Sequence, residues 1–352
     1  MKPQSTPSEL SLAFEPLKPV IIKAIGFSTL ISLLALMPTV YMLEVYDRVV
    51  NSRSGMTLAM LTLMIVGAYA VMEILEKIRG SLMRAAGVAL DEKLSKRVYD
   101  AMFQGFLKRQ VGGSMQVLND LRLIREFLAN PALLAVMEAP VALLALALIF
   151  AINPILGWSA VVGALAQLGV AWMTEKSTRK PLMEANRSAV GAQQMAESSL
   201  RNAHVMESMG MLDAVHARWN KRQQEFLAYQ AQASEGAGLW TAMSKLVQQV
   251  MGSFLLGLGA WLLLGNALNG GAGMMIIGSV LGGRVLAPLA QLVSQWSAVV
   301  NVRAAWERLE GLLAQMPAKP KNMSLPAPKG VLTVESLMAG APGHPVAIVR
   351  GV

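Results

Sequence analysis

Arg284 is the charge set most deeply in an apolar stretch, since no other charged residue falls between Lys245 and Arg303. A guanidinium at the centre of a membrane helix costs about 2.5–3.5 kcal/mol on insertion scales. It therefore calls for a partner, a wet cavity, or a snorkelling route to the nearer interface. Glu138 makes the same demand, met by a partner or by a polar kink at Pro140 beside it. Gly278 and Gly282 form G-x-x-x-G, a spacing that lets two helices approach closely, either between two copies of the chain or within one. Other chemistry is scarce. The chain has no cysteine, which excludes disulfides, thiolate catalysis and cysteine-held metals. His204, His216 and His344 make no metal-ligand spacing, so no catalytic, cofactor-binding or metal residue is assigned.

The elements that must position these residues are written in the hydropathy. Of 352 residues 54% are hydrophobic and 15% charged, where a soluble domain of this size carries about a quarter charged. Residues 24–43 hold no charge, and twenty residues at about 1.5 Å each cross a hydrocarbon core of roughly 30 Å. A second span covers 56–75. From Ala139 to Thr174 no charge occurs over thirty-six residues, too many for one helix. Asn153-Pro154 breaks the run into a tight hairpin with spans at 132–152 and 155–174. Spans five and six follow at 246–267 and 272–293. Six spans exclude a secretory signal peptide as the reading of the first run.

Lysines and arginines set the orientation. Residues 73–130 contain ten and 174–245 contain nine, the loop after span one contains two, and the turns at Asn153 and 266–272 contain none. The positive-inside rule then places both termini and both basic segments in the cytoplasm. The net charge of +9 is thereby explained by membrane orientation, and no nucleic-acid partner is expected. The stretch LEVYDRVVNSRSGMTL (43–58) lies at the outer face, where Glu44, Asp47 and Arg48 sit at helical spacing and can pair.

No proline occurs from Thr39 to Asn130 or between Pro181 and Pro288. Both basic segments can thus continue the spans beside them as helical stalks. The first breaks at Val111-Gly112-Gly113-Ser114 and returns with an apolar stripe through Met115, Leu118, Leu121, Ile124 and Leu128. The second breaks at Met209-Gly210-Met211. The tips, 112–120 and 203–212, are where a cytoplasmic motor would push. Leu118, Leu121, Met206 and Met209 are the candidate apolar contacts, and Asp120 and Glu207 the polar ones.

The first twenty residues, with four prolines, are expected to form an irregular cytoplasmic tail, followed by a six-span domain over 21–316. Val302–Met316 reads as an amphipathic helix and 317–329 as a proline-rich linker. VLTVESL and HPVAIVRGV read as two strands, which cannot bury a core alone and are expected to begin a second domain over 330–352.

The stretches MLEVYDRVVNSRSGMTL (42–58), NDLRLIREFLANPALLAVMEAPVALL (119–144), SLRNAHVMESMGML (199–212) and GRVLAPLAQLVSQW (283–296), with GVLTVESL and PVAIVRGV, resemble the ABC exporters of type I protein secretion, in the protease and lipase exporter group. The fold this implies is an all-α membrane protein, six transmembrane helices with long cytoplasmic extensions, plus the first strands of an incomplete α/β nucleotide-binding domain. The resemblance also implies a homodimer in the bacterial inner membrane, with a periplasmic membrane-fusion adaptor and an outer-membrane channel as partners. Its cargo would be an unfolded protein with a carboxy-terminal signal. ATP and Mg are the cofactors of the full-length family. Arg284 and Glu138 would line the translocation path, and Arg284, Gly278 and Gly282 could form the dimer seam. No G-x-x-x-x-G-K-[ST] is present, so these residues are not expected to hydrolyse ATP alone. An exporter of lipids or small molecules, or a scaffold without a motor, are the competing readings.

Overall fold

The structure, a computed structural model, describes residues 9–107, 115–268, 271–318, 330, 333–340 and 347–351. Among them six helices are long and apolar enough to cross a membrane. The chain opens with α1 (Glu9–Phe14), then α2 (Lys18–Leu34) and α3 (Met37–Glu44). A π-turn over Val45–Val49 leads to the short α4 (Val50–Ser52). Next come α5 (Gly55–Leu107), α6 (Gln116–Phe127), α7 (Pro131–Ile152) and α8 (Pro154–Arg201). The last helices are α9 (Ala203–Ser208), α10 (Leu212–Leu264), α11 (Gly271–Ser294) and α12 (Trp296–Gln315).

The local causes are those of the sequence. Ser54 caps α5, its Oγ accepting from the Thr57 N–H at 3.3 Å. At 53 residues α5 runs about 80 Å, far past a bilayer. Two Asn-Pro pairs start the next two spans. Asn130 and Asn153 each accept a backbone N–H two residues on, at 2.8 Å, and the proline takes the first helical position, where no N–H is needed. At the turn after α3 Arg48 pairs with Glu44 at 3.4 Å, as their spacing predicts. Arg53 adopts a left-handed conformation (φ 52°) that turns the chain into α5.

Two apolar cores result. One joins α7, α8, α10 and α11 within the membrane layer, around Ile149, Leu156, Leu255 and Leu281. The second core lies apart from it, where α1, α5, α6 and α12 enclose Leu10, Met83, Leu90, Val98, Leu121 and Leu309. Phe14 of α1 meets Trp306 of α12 with ring centroids 5.2 Å apart, so both ends of the described bundle lie on one side of the six helices.

Three expectations need correction. Residues 9–17 are helical rather than irregular, because Leu10, Ala13 and Leu17 bury in the second core. The last amphipathic helix starts at Trp296, since only Gln295 interrupts it from α11. The first strand, β1 (Met338–Gly340), falls after VLTVESL, and it pairs antiparallel with β2 (Ala347–Arg350). The break expected at 111–114 lies outside the described residues.

Candidate functional site

Four helices, α2, α5, α7 and α11, bring charge together beside the apolar runs of the bundle. Arg79, on α5 just past its apolar run, is 8% exposed at its side chain. Its Nη1 donates to Glu138 Oε1 on α7 at 2.8 Å and to Ser28 Oγ on α2 at 3.1 Å. Glu138 therefore has the partner its depth demands, and α7 passes Pro140 without a break. The Arg79 Nε is buried with no hydrogen-bond partner. Across a cavity of about 40 Å³, lined by Ser32, Glu138, Ala142, Arg284 and Pro288, stands Arg284 of α11.

Arg284 is held by a backbone oxygen. Between α2 and α3 the Thr39 N–H bonds Leu36 O at 3.0 Å, because the chain bends before Pro38. The Ala35 carbonyl is left to accept Arg284 Nη2, at 2.9 Å. Among the described residues no carboxylate pairs with Arg284.

Gly278 and Gly282 serve packing within the chain. A Cβ on Gly282 would overlap Leu255 Cδ1 of α10, and one on Gly278 would lie 3.4 Å from Leu156 Cδ1 of α8. The dimer-seam expectation is corrected accordingly: both positions are already covered by helices of the same protomer.

At the first tip, two of the expected contact residues are turned inward. Leu121 is 2% exposed within the second core and Asp120 is 1% exposed. Arg308 of α12 donates to Asp120 through Nε at 2.8 Å and Nη2 at 2.6 Å, and Gln116 Nε2 adds a bond at 3.0 Å. The hydrogen bond to Asp120 raises the Arg308 pKa above its ordinary value. These residues cannot offer surface to a partner, and the contact role expected of Leu121 and Asp120 is corrected to a clamp between α6 and α12. Leu118 is half-buried against the same core. A second clamp stands beside it. Arg97 of α5 donates to both Glu9 oxygens, at 2.8 and 3.3 Å, and to Met316 O at 2.5 Å.

The second tip is open. Gly210 takes φ +62°, a value that favours glycine, and turns the chain from α9 into α10. Met206 is half-buried, whereas Glu207 and Met209 are exposed beside Val205 and Leu212. Val205, Met209 and Leu212 thus form an exposed apolar cluster at this helix turn.

Arg79, Arg97 and Arg308 escaped the sequence reading because they counted only as basic residues of cytoplasmic segments. No spacing links positions 28, 79 and 138, or 120 and 308, which meet only through tertiary packing.

Residues 21–285 match the ABC transporter transmembrane region. The chain is 33% identical over 326 residues to the type I secretion system ATP-binding protein PrsD of Rhizobium meliloti, an alignment covering 92% of this chain and 56% of that protein. It is 21% identical to the toxin RTX-I translocation ATP-binding protein of Actinobacillus pleuropneumoniae, over 90% of this chain and 45% of the relative. The fold superimposes on a bacterial Atm1-family ABC exporter with ATP bound, with a TM-score of 0.72 at 15% identity, covering 96% of this chain and 61% of that one. The chain spans about half the length of the curated relatives it matches.

Proposed function

This chain belongs to the ABC transporter transmembrane-region family, and from that premise we propose that it is the membrane part of an ATP-driven type I secretion exporter that moves unfolded proteins out of a Gram-negative cell. The observation that carries the reading is the 33% identity to PrsD along nearly the whole chain. In this reading two copies assemble in the inner membrane and work with a periplasmic adaptor and an outer-membrane channel. ATP and Mg act on the nucleotide-binding part of the complete transporter. The cargo enters with a carboxy-terminal signal. Arg284 and Glu138 border its path, and the α9 knob, with Met206, Glu207 and Met209, receives the motor's movement.

The reading is tested with the complete transporter reconstituted in vesicles. It should translocate an unfolded polypeptide bearing a carboxy-terminal signal when ATP is supplied, and lipid movement without polypeptide movement would replace it with a lipid exporter. Met209→Asp places a charge on the apolar knob and weakens docking, because a carboxylate buried against a partner surface needs a compensating group. Export should fall about tenfold or more while ATP turnover stays within about twofold, since a docking loss of about 1.4 kcal/mol is already tenfold. Unchanged export would make α9 a solvated end.

Both termini and both stalks are assigned to the cytoplasm. Ser52 and Ser208 are exposed, and the chain has no native cysteine to confuse labelling. An impermeant thiol reagent added to intact cells stripped of their outer membrane should label Ser52→Cys and spare Ser208→Cys. The reverse pattern would invert the topology.

A further inference from the structure

We propose that Arg284 and its cavity are an anion-binding station inside the membrane that engages the carboxylate side chains of the polypeptide being moved. The proposal rests on the exporter reading above and goes further by naming the chemistry the path selects.

Charge carries the argument. The cavity wall carries one guanidinium, Arg284, and one carboxylate, Glu138, whose charge is already met by Arg79 at 2.8 Å. One positive charge remains, on Arg284, which among the described residues bonds the neutral carbonyl of Ala35 at 2.9 Å. A guanidinium offers five N–H donors, so one such bond leaves most of the fork unspent. Arg284 is also exposed while its neighbours Val285 and Leu286 are buried. The bond to Ala35 fixes the group in place, while the free edge faces open space beside the half-buried Ser32 and Ala142 on the cavity wall. A fixed, incompletely satisfied guanidinium in a low-dielectric setting matches a carboxylate in both charge and bidentate geometry.

The exporter reading selects the source of that anion. Arg284 lies thirteen residues into α11 from Gly271 and ten residues before its end at Ser294. A phospholipid phosphate is the competing source, and the lipid arm of the test below separates the two. A chain threading the path brings its acidic side chains past the cavity. The site would therefore hold acidic segments briefly and let neutral ones pass without a pause.

The test uses the complete transporter and two probes, a short unfolded peptide carrying aspartates and its counterpart with asparagines. Binding to the detergent-solubilised protein is followed by fluorescence anisotropy. The aspartate peptide should bind about tenfold tighter than the asparagine peptide. Arg284→Gln should abolish that preference by weakening the aspartate peptide alone, and Arg284→Lys should keep part of it, which guards against a fold defect. Equal loss for both peptides on Arg284→Gln, or no preference in the unsubstituted protein, would overturn the station and leave the exporter reading untouched. A preference that appears only when anionic phospholipid is added would assign the site to lipid and overturn it also. Failure to export any polypeptide with the peptide preference intact would instead sink the exporter reading.

Discussion

Replacing Arg308 by alanine should cost the protein roughly 3 kcal/mol of stability, the lower end of what breaking a buried ion pair costs. The lower end applies because the Arg308 side chain is 41% exposed while that of Asp120 is 2% exposed, so water reaches one partner and not the other. Without Arg308 the carboxylate keeps only the Gln116 amide at 3.0 Å. The damage arises from the stranded charge more than from the lost bond. Asp120→Leu combined with Arg308→Leu should therefore recover most of the loss, since no charge is left in the core. Thermal unfolding of the detergent-solubilised protein, wild type against the single and double variants, decides it. A double variant no more stable than Arg308→Ala would show that the pair holds α6 to α12 by something other than charge compensation.

Arg79→Leu is expected to be more severe. It leaves Glu138 without its 2.8 Å partner in the membrane layer and leaves the Ser28 hydroxyl without its donor at 3.1 Å. Removing one partner of a buried pair costs about 3–5 kcal/mol, and the Arg79 side chain is the more buried of the two, at 8% exposure against 34% for Glu138. The variant should accumulate poorly in membranes and aggregate on extraction. Glu138→Gln keeps a hydrogen-bond acceptor for Arg79 and should be much milder. Quantitative fluorescence-detected size exclusion of tagged proteins compares them. Equal recovery of Arg79→Leu and wild type would mean that Glu138 is satisfied by water from the cavity instead.

The six spans and the break at Asn153-Pro154 were legible because each depends on neighbours in the chain: a run of apolar residues and a proline that stops a helix. Gly210 was legible for the same reason, as a break between two helical stretches. Residues whose meaning depends on distant partners were not. Asp120 and Leu121 sit on an amphipathic stretch that suits a docking surface equally well, and only α12, some 188 positions away, shows that the stretch is already covered. Arg284 was identified by its isolation in the sequence, yet its bond to the Ala35 carbonyl arises from a helix bend that a hydropathy profile does not register. The G-x-x-x-G pattern specified a close approach and left its partner open, and Leu255 and Leu156 supply that partner.

The two long helical extensions differ in build. The α5–α6 column is thickened by α12 and α1 around a shared apolar core, and Arg97 rivets it to Glu9 and to the Met316 carbonyl. The α8–α10 ribbon buries small residues, Ala185, Ala192 and Ala233, and is tied to α12 by the Asn186 Nδ2–Asn301 Oδ1 hydrogen bond at 2.9 Å. Bending rigidity rises steeply with the breadth of a beam, so the column is a stiff strut and the ribbon a leaf spring. The Asn186–Asn301 bond clamps that spring to the strut, so the pliant ribbon bends about a point fixed by its stiffer neighbour.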